Sequence, residues 1–155
     1  MFRIPVLLAV VAALCAADPQ FVFDLTLVEG SGDKPMIVVW LEKPDGTFVR
    51  TLHMFSKDRK YYKDMLVWSA AREGSAEDDK AVDAVAGATP SWAGHQVVKV
   101  PAKDALAAGL VLRVEQRKDK GGHYKKRKVP LAAEWPGVTL EKDGYIAKLV
   151  VTVEQ

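Results

Sequence analysis

Residues 21–28 read FVFDLTLV, and their alternation decides the fold class. Phe21, Phe23, Leu25 and Leu27 fall on one side of an extended chain, with Val22, Asp24, Thr26 and Val28 on the other. A period of two sends successive side chains to opposite faces of a sheet, so one face is made for burial. The pattern recurs downstream. Met36 to Leu41 is a short apolar run rich in β-branched residues, Pro44-Asp45-Gly46 is a turn, and Phe48 to Phe55 resumes the strand pattern. Together they predict a hairpin. Further strands are expected at Gln96 to Val100, Leu110 to Glu115, His123 to Leu131 and Ile146 to Val153. Gly30-Ser31-Gly32-Asp33 and Asp119-Lys120-Gly121-Gly122 read as turns.

One segment departs from this pattern. Asp58 to Arg72 favours a helix, with Tyr61, Met65 and Trp68, or Tyr62, Leu66 and Trp68, at helical spacing and Gly74 as its stop. Aromatics so spaced serve to pack a helix onto a sheet. With many strands, frequent turns and no βαβ alternation, the expected fold is all-β: an immunoglobulin-like antiparallel β-sandwich with one helical insertion. Trp40 should be buried in a central strand and Trp68 on the inner face of the helix. No internal repeat or linker divides the chain, so residues 18–155 form a single expected domain.

The first 17 residues read differently. Arg3 supplies a positive start, Ile4 to Leu14 are apolar apart from Pro5, and Cys15, Ala16 and Ala17 are small before the polar Asp18. That order is a cleavable signal peptide. The apolar run is too short for the roughly 20 residues that cross a bilayer. The expected product is periplasmic or secreted and soluble, and it lacks Cys15, the only cysteine among the 155 residues. A domain without disulfides must rely on its core. Losing Arg3 takes the formal net charge from +2 to about +1, which argues for neither a nucleic-acid nor a membrane partner.

Catalytic signatures are mostly missing. The chain has no Gly-x-Ser-x-Gly elbow, no phosphate-binding Gly-Lys loop and no His-Glu-x-x-His helix. His53, His95 and His123 lie far apart, and scattered His and Met residues of a β-sandwich are far more often core or surface than ligands, so no metal site is assigned and a soft copper site using His53 and Met54 is the lesser alternative. Basic residues gather around Gly121-Gly122. Lys125, Lys126, Arg127 and Lys128 either guard a solvated edge against strand pairing or dock an acidic partner.

The segment richest in chemistry is Asp83-Ala84-Val85-Ala86-Gly87-Ala88-Thr89-Pro90. It resembles the covalent flavinylation motif of extracytosolic electron-transfer proteins, Asp-x-x-(Ser/Thr)-Gly-Ala-Thr. Asp83, Gly87, Ala88 and Thr89 match it, while Ala86 stands where a hydroxyl residue is usual. The resemblance implies FMN joined through its phosphate to the Thr89 hydroxyl by a flavin transferase. Gly87 and Ala88 offer little bulk to an approaching flavin phosphate. Asp83 would position the acceptor loop or help bind the transferase's metal. Trp92, three residues beyond Thr89, is a candidate to stack on the flavin ring. The alternative is an ordinary glycine-containing loop, with Thr89 held extended by Pro90.

A wider resemblance runs from about Val38 to Leu131. Its landmarks are Val39-Trp40-Leu41-Glu42, Asp45-Gly46, Val49-Arg50-Thr51-Leu52, the helix with Leu66 and Trp68, and Val82-Asp83 through Thr89. Gly94-His95, Val114-Glu115 with Arg117, and Gly121-Gly122 complete the set. The order resembles the predicted periplasmic proteins catalogued as domain of unknown function 2271. That family is similar in turn to the immunoglobulin-like domains of flagellar-hook capping proteins. Its usual Arg-Pro-Pro-Gly after the Gly-Ala-Thr is replaced here by Pro90-Ser91-Trp92-Ala93-Gly94. The resemblance implies electron transfer alongside a flavin transferase and a PepSY-type membrane redox protein. The competing expectation is a non-redox binding or assembly module whose Gly-Ala-Thr loop is structural.

Overall fold

A computed structural model describes residues 17–56 and 58–155, with only the backbone described at Lys126. Except for Ala17, the expected leader, including Arg3 and Cys15, lies outside the described residues. The strands are β1 (Gln20–Leu27), β2 (Met36–Glu42), β3 (Phe48–Phe55), β4 (Ala86–Gly87) and β5 (His95–Pro101). They continue with β6 (Val111–Arg117), β7 (His123–Pro130), β8 (Val138–Asp143) and β9 (Ile146–Glu154). Between β3 and β4 come a 3-10 helix (Arg59–Asp64), α1 (Leu66–Arg72) and α2 (Asp79–Ala84).

Two sheets stack, ordered β5-β1-β9-β8 and β4-β3-β2-β6-β7. The molecule is therefore a β-sandwich with a helical insertion. The β1 alternation has its predicted consequence: Phe21, Phe23, Leu25 and Leu27 are all buried between the sheets. Ile37, Val39 and Leu41 from β2, Leu112 and Val114 from β6, and Leu149 and Val151 from β9 complete that layer. Burying each large apolar side chain contributes about 1.5–3 kcal/mol.

The second sheet is covered on its outer face as well. There Met36, Val38 and Trp40 of β2 and Met54 of β3 pack against Tyr62, Met65, Trp68 and Val82 from the helical insertion. Every residue of β2 is buried, which is why Met36 to Leu41 reads as an unbroken apolar run. Trp40 and Trp68 are both fully buried, as expected. The helical face differs from both predicted sets. It combines Tyr62, Met65 and Trp68, while Leu66 is left 52% exposed, because the 3-10 turn over Arg59–Asp64 offsets the register before α1 begins.

Buried polar groups dock the insertion. The Glu115 carboxylate on β6 accepts hydrogen bonds from the backbone N–H groups of Val67 (3.1 Å) and Trp68 (2.8 Å), capping the first turn of α1. His123 Nε2 contacts the same carboxylate. Trp68 Nε1–H donates to Thr51 Oγ1 at 2.9 Å, and the Thr51 hydroxyl donates to Glu77 at 2.5 Å.

Three elements were not anticipated. β8 carries few apolar residues because it is an edge strand. α2 emerges from a polar stretch because Asp78 caps it, its side chain accepting from the Ala81 N–H at 2.8 Å. β4 is two residues long and pairs in parallel with β3, so the sandwich is not wholly antiparallel.

Candidate functional site

The motif segment begins on α2 rather than in a loop. Asp83 lies on that helix, where its carboxylate pairs with the Arg59 guanidinium and accepts a hydrogen bond from the Tyr62 hydroxyl at 3.0 Å. The Arg59 guanidinium holds the Asp83 carboxyl below its ordinary range against the opposing effect of burial, with a lesser contribution from the Tyr62 hydrogen bond. Burial and then the bond to Asp83 push the Tyr62 phenol up to about 12. Asp83 thus ties α2 to the 3-10 helix, and Tyr62 carries that tie to Trp68 through an edge-to-face contact at 5.6 Å. It is the start of the motif that is anchored here.

The chain then lies along the edge of β3. Val85 C=O accepts from Met54 N–H at 3.2 Å, and Ala86 and Gly87 pair with Met54 and Phe55. Ala86, where the usual motif has a hydroxyl, packs instead against the outer apolar cluster. Gly87 has a steric reason to be glycine, since a Cβ there would lie 3.1 Å from both Cε1 and Nε2 of His53. His53 is buried, stacks edge-on to Phe55 at 4.4 Å, and leaves Nε2 without a hydrogen-bond partner. Burial alone pushes its imidazole down to about 4, so the ring is neutral.

Thr89 follows at the end of this edge, half-buried. Its hydroxyl lies 2.6 Å from the Phe55 carbonyl oxygen and 3.1 Å from that of Pro35, and one proton can serve only one of them at a time. Lys34 Nζ donates to the Thr89 carbonyl oxygen at 3.2 Å. Thr89 and the exposed Ala88 line an open cleft of about 630 Å³, within the ~300–1,000 Å³ range of small-molecule sites. Its other walls include Lys34, Met36, Tyr61 and Asp119.

The structure therefore brings Ala88 and Thr89 to one cleft, with Gly87 immediately behind them. Asp83 stands on the helix leading in. Trp92 is placed elsewhere, outside the residues lining the cleft. Its indole N–H donates to Gly32 C=O at 3.1 Å, the Lys118 ammonium lies 5.1 Å from its ring centre, and a Cβ at Gly30 would come within 2.6 Å of it. Sequence reasoning passed over Lys34 and placed Tyr61 only as a packing residue. Both reach the cleft through the meeting of the β1–β2 loop with the 3-10 helix, a contact that no local pattern announces. Among the described residues, no group of three His, Cys, Asp or Glu side chains is placed to hold a metal ion.

A family model described as predicted periplasmic protein (DUF2271) matches residues 20–148. The chain belongs to the DUF2271 family. The match takes in β1 to β8, the start of β9, the helical insertion and the whole Thr89 cleft. Comparison of this DUF2271 chain with curated proteins and with solved structures gives no match. No helix among its described residues is long and apolar enough to cross a membrane.

Proposed function

We propose that this DUF2271 chain is an exported periplasmic protein that carries FMN covalently on Thr89 and passes electrons between membrane and periplasmic partners. One observation carries the reading: the motif threonine lines a ligand-sized cleft, beside the small side chain of Ala88. In attachment, Thr89 Oγ1 forms a bond to the FMN-side phosphorus of FAD. The bond from that phosphorus to the bridging oxygen breaks, AMP leaves, and the hydroxyl proton passes to the transferase or to solvent. The hydroxyl must first leave the Phe55 carbonyl, at a cost of about 0.5–1.5 kcal/mol. Asp83, fixed by Arg59 and Tyr62, would hold the incoming end of the acceptor segment while this happens. The bound flavin supplies the redox chemistry, and the protein supplies its orientation and electrostatic surroundings.

The partners in this reading are a flavin transferase and a PepSY-type membrane redox protein. An acidic partner surface would meet the β7 hairpin at Lys125, Lys126, Arg127 and Lys128. Two of these already have intramolecular partners: Arg127 pairs with Asp143 at 3.1 Å, and Lys128 lies 3.9 Å from Glu42.

A second reading, a non-redox binding or assembly module, is favoured by the same Thr89 hydroxyl, which already fastens its loop to the end of β3. Export in a host expressing a flavin transferase separates the two. The flavin reading expects a yellow protein that stays yellow on denaturation, begins at or near Asp18, and gains the mass of one FMN less one water. Unmodified protein, both as wild type and as Ala86→Ser, leaves the module reading.

A further inference from the structure

Beyond the acceptor hydroxyl, two cleft residues that belong to no motif have the chemistry to hold what Thr89 would carry. We infer that Lys34 neutralises the phosphodiester at Thr89 and that the Tyr61 ring, rather than Trp92, contacts the flavin ring system. This rests on the flavin reading of Thr89.

The case for Lys34 is charge and position. A phosphodiester on Thr89 brings one negative charge into a cleft that already holds the carboxylates of Asp33, Asp58 and Asp119. Lys34 is the one cation among the described residues that line it, and its Nζ is already 3.2 Å from the Thr89 carbonyl oxygen. A lysine is a mobile point charge on a flexible stem, so it can shift from that carbonyl to a phosphate oxygen on the same residue without moving the backbone. Asp58 is engaged with Lys60 at 2.9 Å, which softens the repulsion on that side of the cleft.

The case for Tyr61 is the shape of the wall. It is half-buried on the 3-10 helix, packed against the outer apolar cluster with Lys60 4.6 Å from its ring centre, and it also lines the cleft. Met36 and Pro35 supply apolar surface on another wall. An aromatic ring with apolar neighbours suits a flat heteroaromatic ligand. Trp92 lies outside the cleft lining, with its N–H committed to Gly32 and Gly30 pressed against its ring, so it braces its own loop.

The test uses full-length protein loaded by co-expression with a flavin transferase, with loading checked by intact mass. A tyrosine in contact with a flavin quenches its fluorescence by electron donation. Tyr61→Leu should therefore raise the emission of the bound flavin several-fold. Tyr61→Phe, which keeps the packing but lacks the electron-rich phenol, should do the same in protein whose circular dichroism matches wild type. Trp92→Phe should leave emission near the wild-type level. Lys34→Gln should shift the phosphorus-31 resonance of the phosphodiester in the loaded protein, because the cation that faces it is gone. Loaded protein that brightens with Trp92→Phe and not with either Tyr61 variant overturns the Tyr61 assignment, and an unchanged phosphorus resonance in Lys34→Gln overturns that of Lys34. Either result leaves Thr89 flavinylation standing. Absence of flavin from both wild type and Ala86→Ser overturns the flavin reading itself, and this inference with it.

Discussion

The hydroxyl of Thr89 lies 2.6 Å from the carbonyl oxygen of Phe55, so the last residue of the motif is fastened to the last residue of β3. Thr89→Val keeps the side-chain shape and removes the donor. It should abolish flavin labelling outright and lower stability by about 1 kcal/mol, the net worth of one hydrogen bond. Mass spectrometry reads the first effect and denaturant unfolding the second. Ala86→Ser should label at least as well as wild type. A labelled Thr89→Val protein would place the acceptor elsewhere.

Gly87 and His53 are steric partners across the β3–β4 edge. Gly87→Ala should destabilise the domain by about 1–3 kcal/mol, the usual range for overpacking. The cost should shrink when His53 is also replaced by Ala, because the clash loses its second member. Additive losses in that double-mutant cycle would show that the contact carries no energy.

His53 also makes a pH prediction. Burial lowers its folded-state value from 6.5 to about 4, and the unfolded chain keeps the ordinary value. Between those limits the unfolded state binds a proton that the folded state refuses, so stability rises with pH. It is complete above about pH 6.5, is lost as pH falls towards 4, and changes no further below that through this group. The full loss is about 3 kcal/mol. Unfolding free energies at pH 7, 5.5 and 4 should show this slope in wild type and a flatter one in His53→Leu. The Asp83 carboxyl, lowered chiefly by Arg59, contributes only at still lower pH, below its ordinary value of 3.8.

Trp68 joins the insertion to the second sheet by area and by its N–H bond to Thr51. Trp68→Ala should cost about 3–5 kcal/mol, as large-to-small core substitutions do. Leu66→Ala, two residues earlier on α1 but exposed, should change stability little. Chemical unfolding of the two variants side by side checks the helical face directly, since the predicted Leu66 face would give them similar costs.

The basic hairpin calls for a divided experiment. Arg127 bridges to Asp143 and donates to the Glu141 carbonyl at 3.3 Å, linking the edges β7 and β8 of opposite sheets. Arg127→Ser should therefore lower stability by up to about 1 kcal/mol. Lys125→Ser, exposed on the same strand, should leave stability alone and, if an acidic partner docks there, slow its association and weaken the salt dependence. Association rates unchanged across a salt series would leave only the solvated edge.

The division between sequence and structure follows the range of the interactions. Alternation in FVFDLTLV and in the strands after it determined the sandwich, because a period of two is a local property that burial of one face translates directly into a sheet. The unbroken run at Met36 to Leu41 already carried the mark of a strand covered on both sides, and Trp40 and Trp68 were legible as core residues. The order of Asp83, Gly87, Ala88 and Thr89 singled out the segment whose end lines the cleft. Only the tertiary structure decided the rest. The Tyr62–Met65–Trp68 face depends on where a 3-10 turn passes into an α-helix, a choice made by packing on β2 and β3. β4 exists because the edge of β3 offers backbone partners to Ala86 and Gly87, which have little strand propensity of their own. The wall of the Thr89 cleft joins Lys34 and Tyr61 to a residue far along the chain. Such meetings are set by sheet order and loop closure, and neither leaves a periodic trace in the sequence.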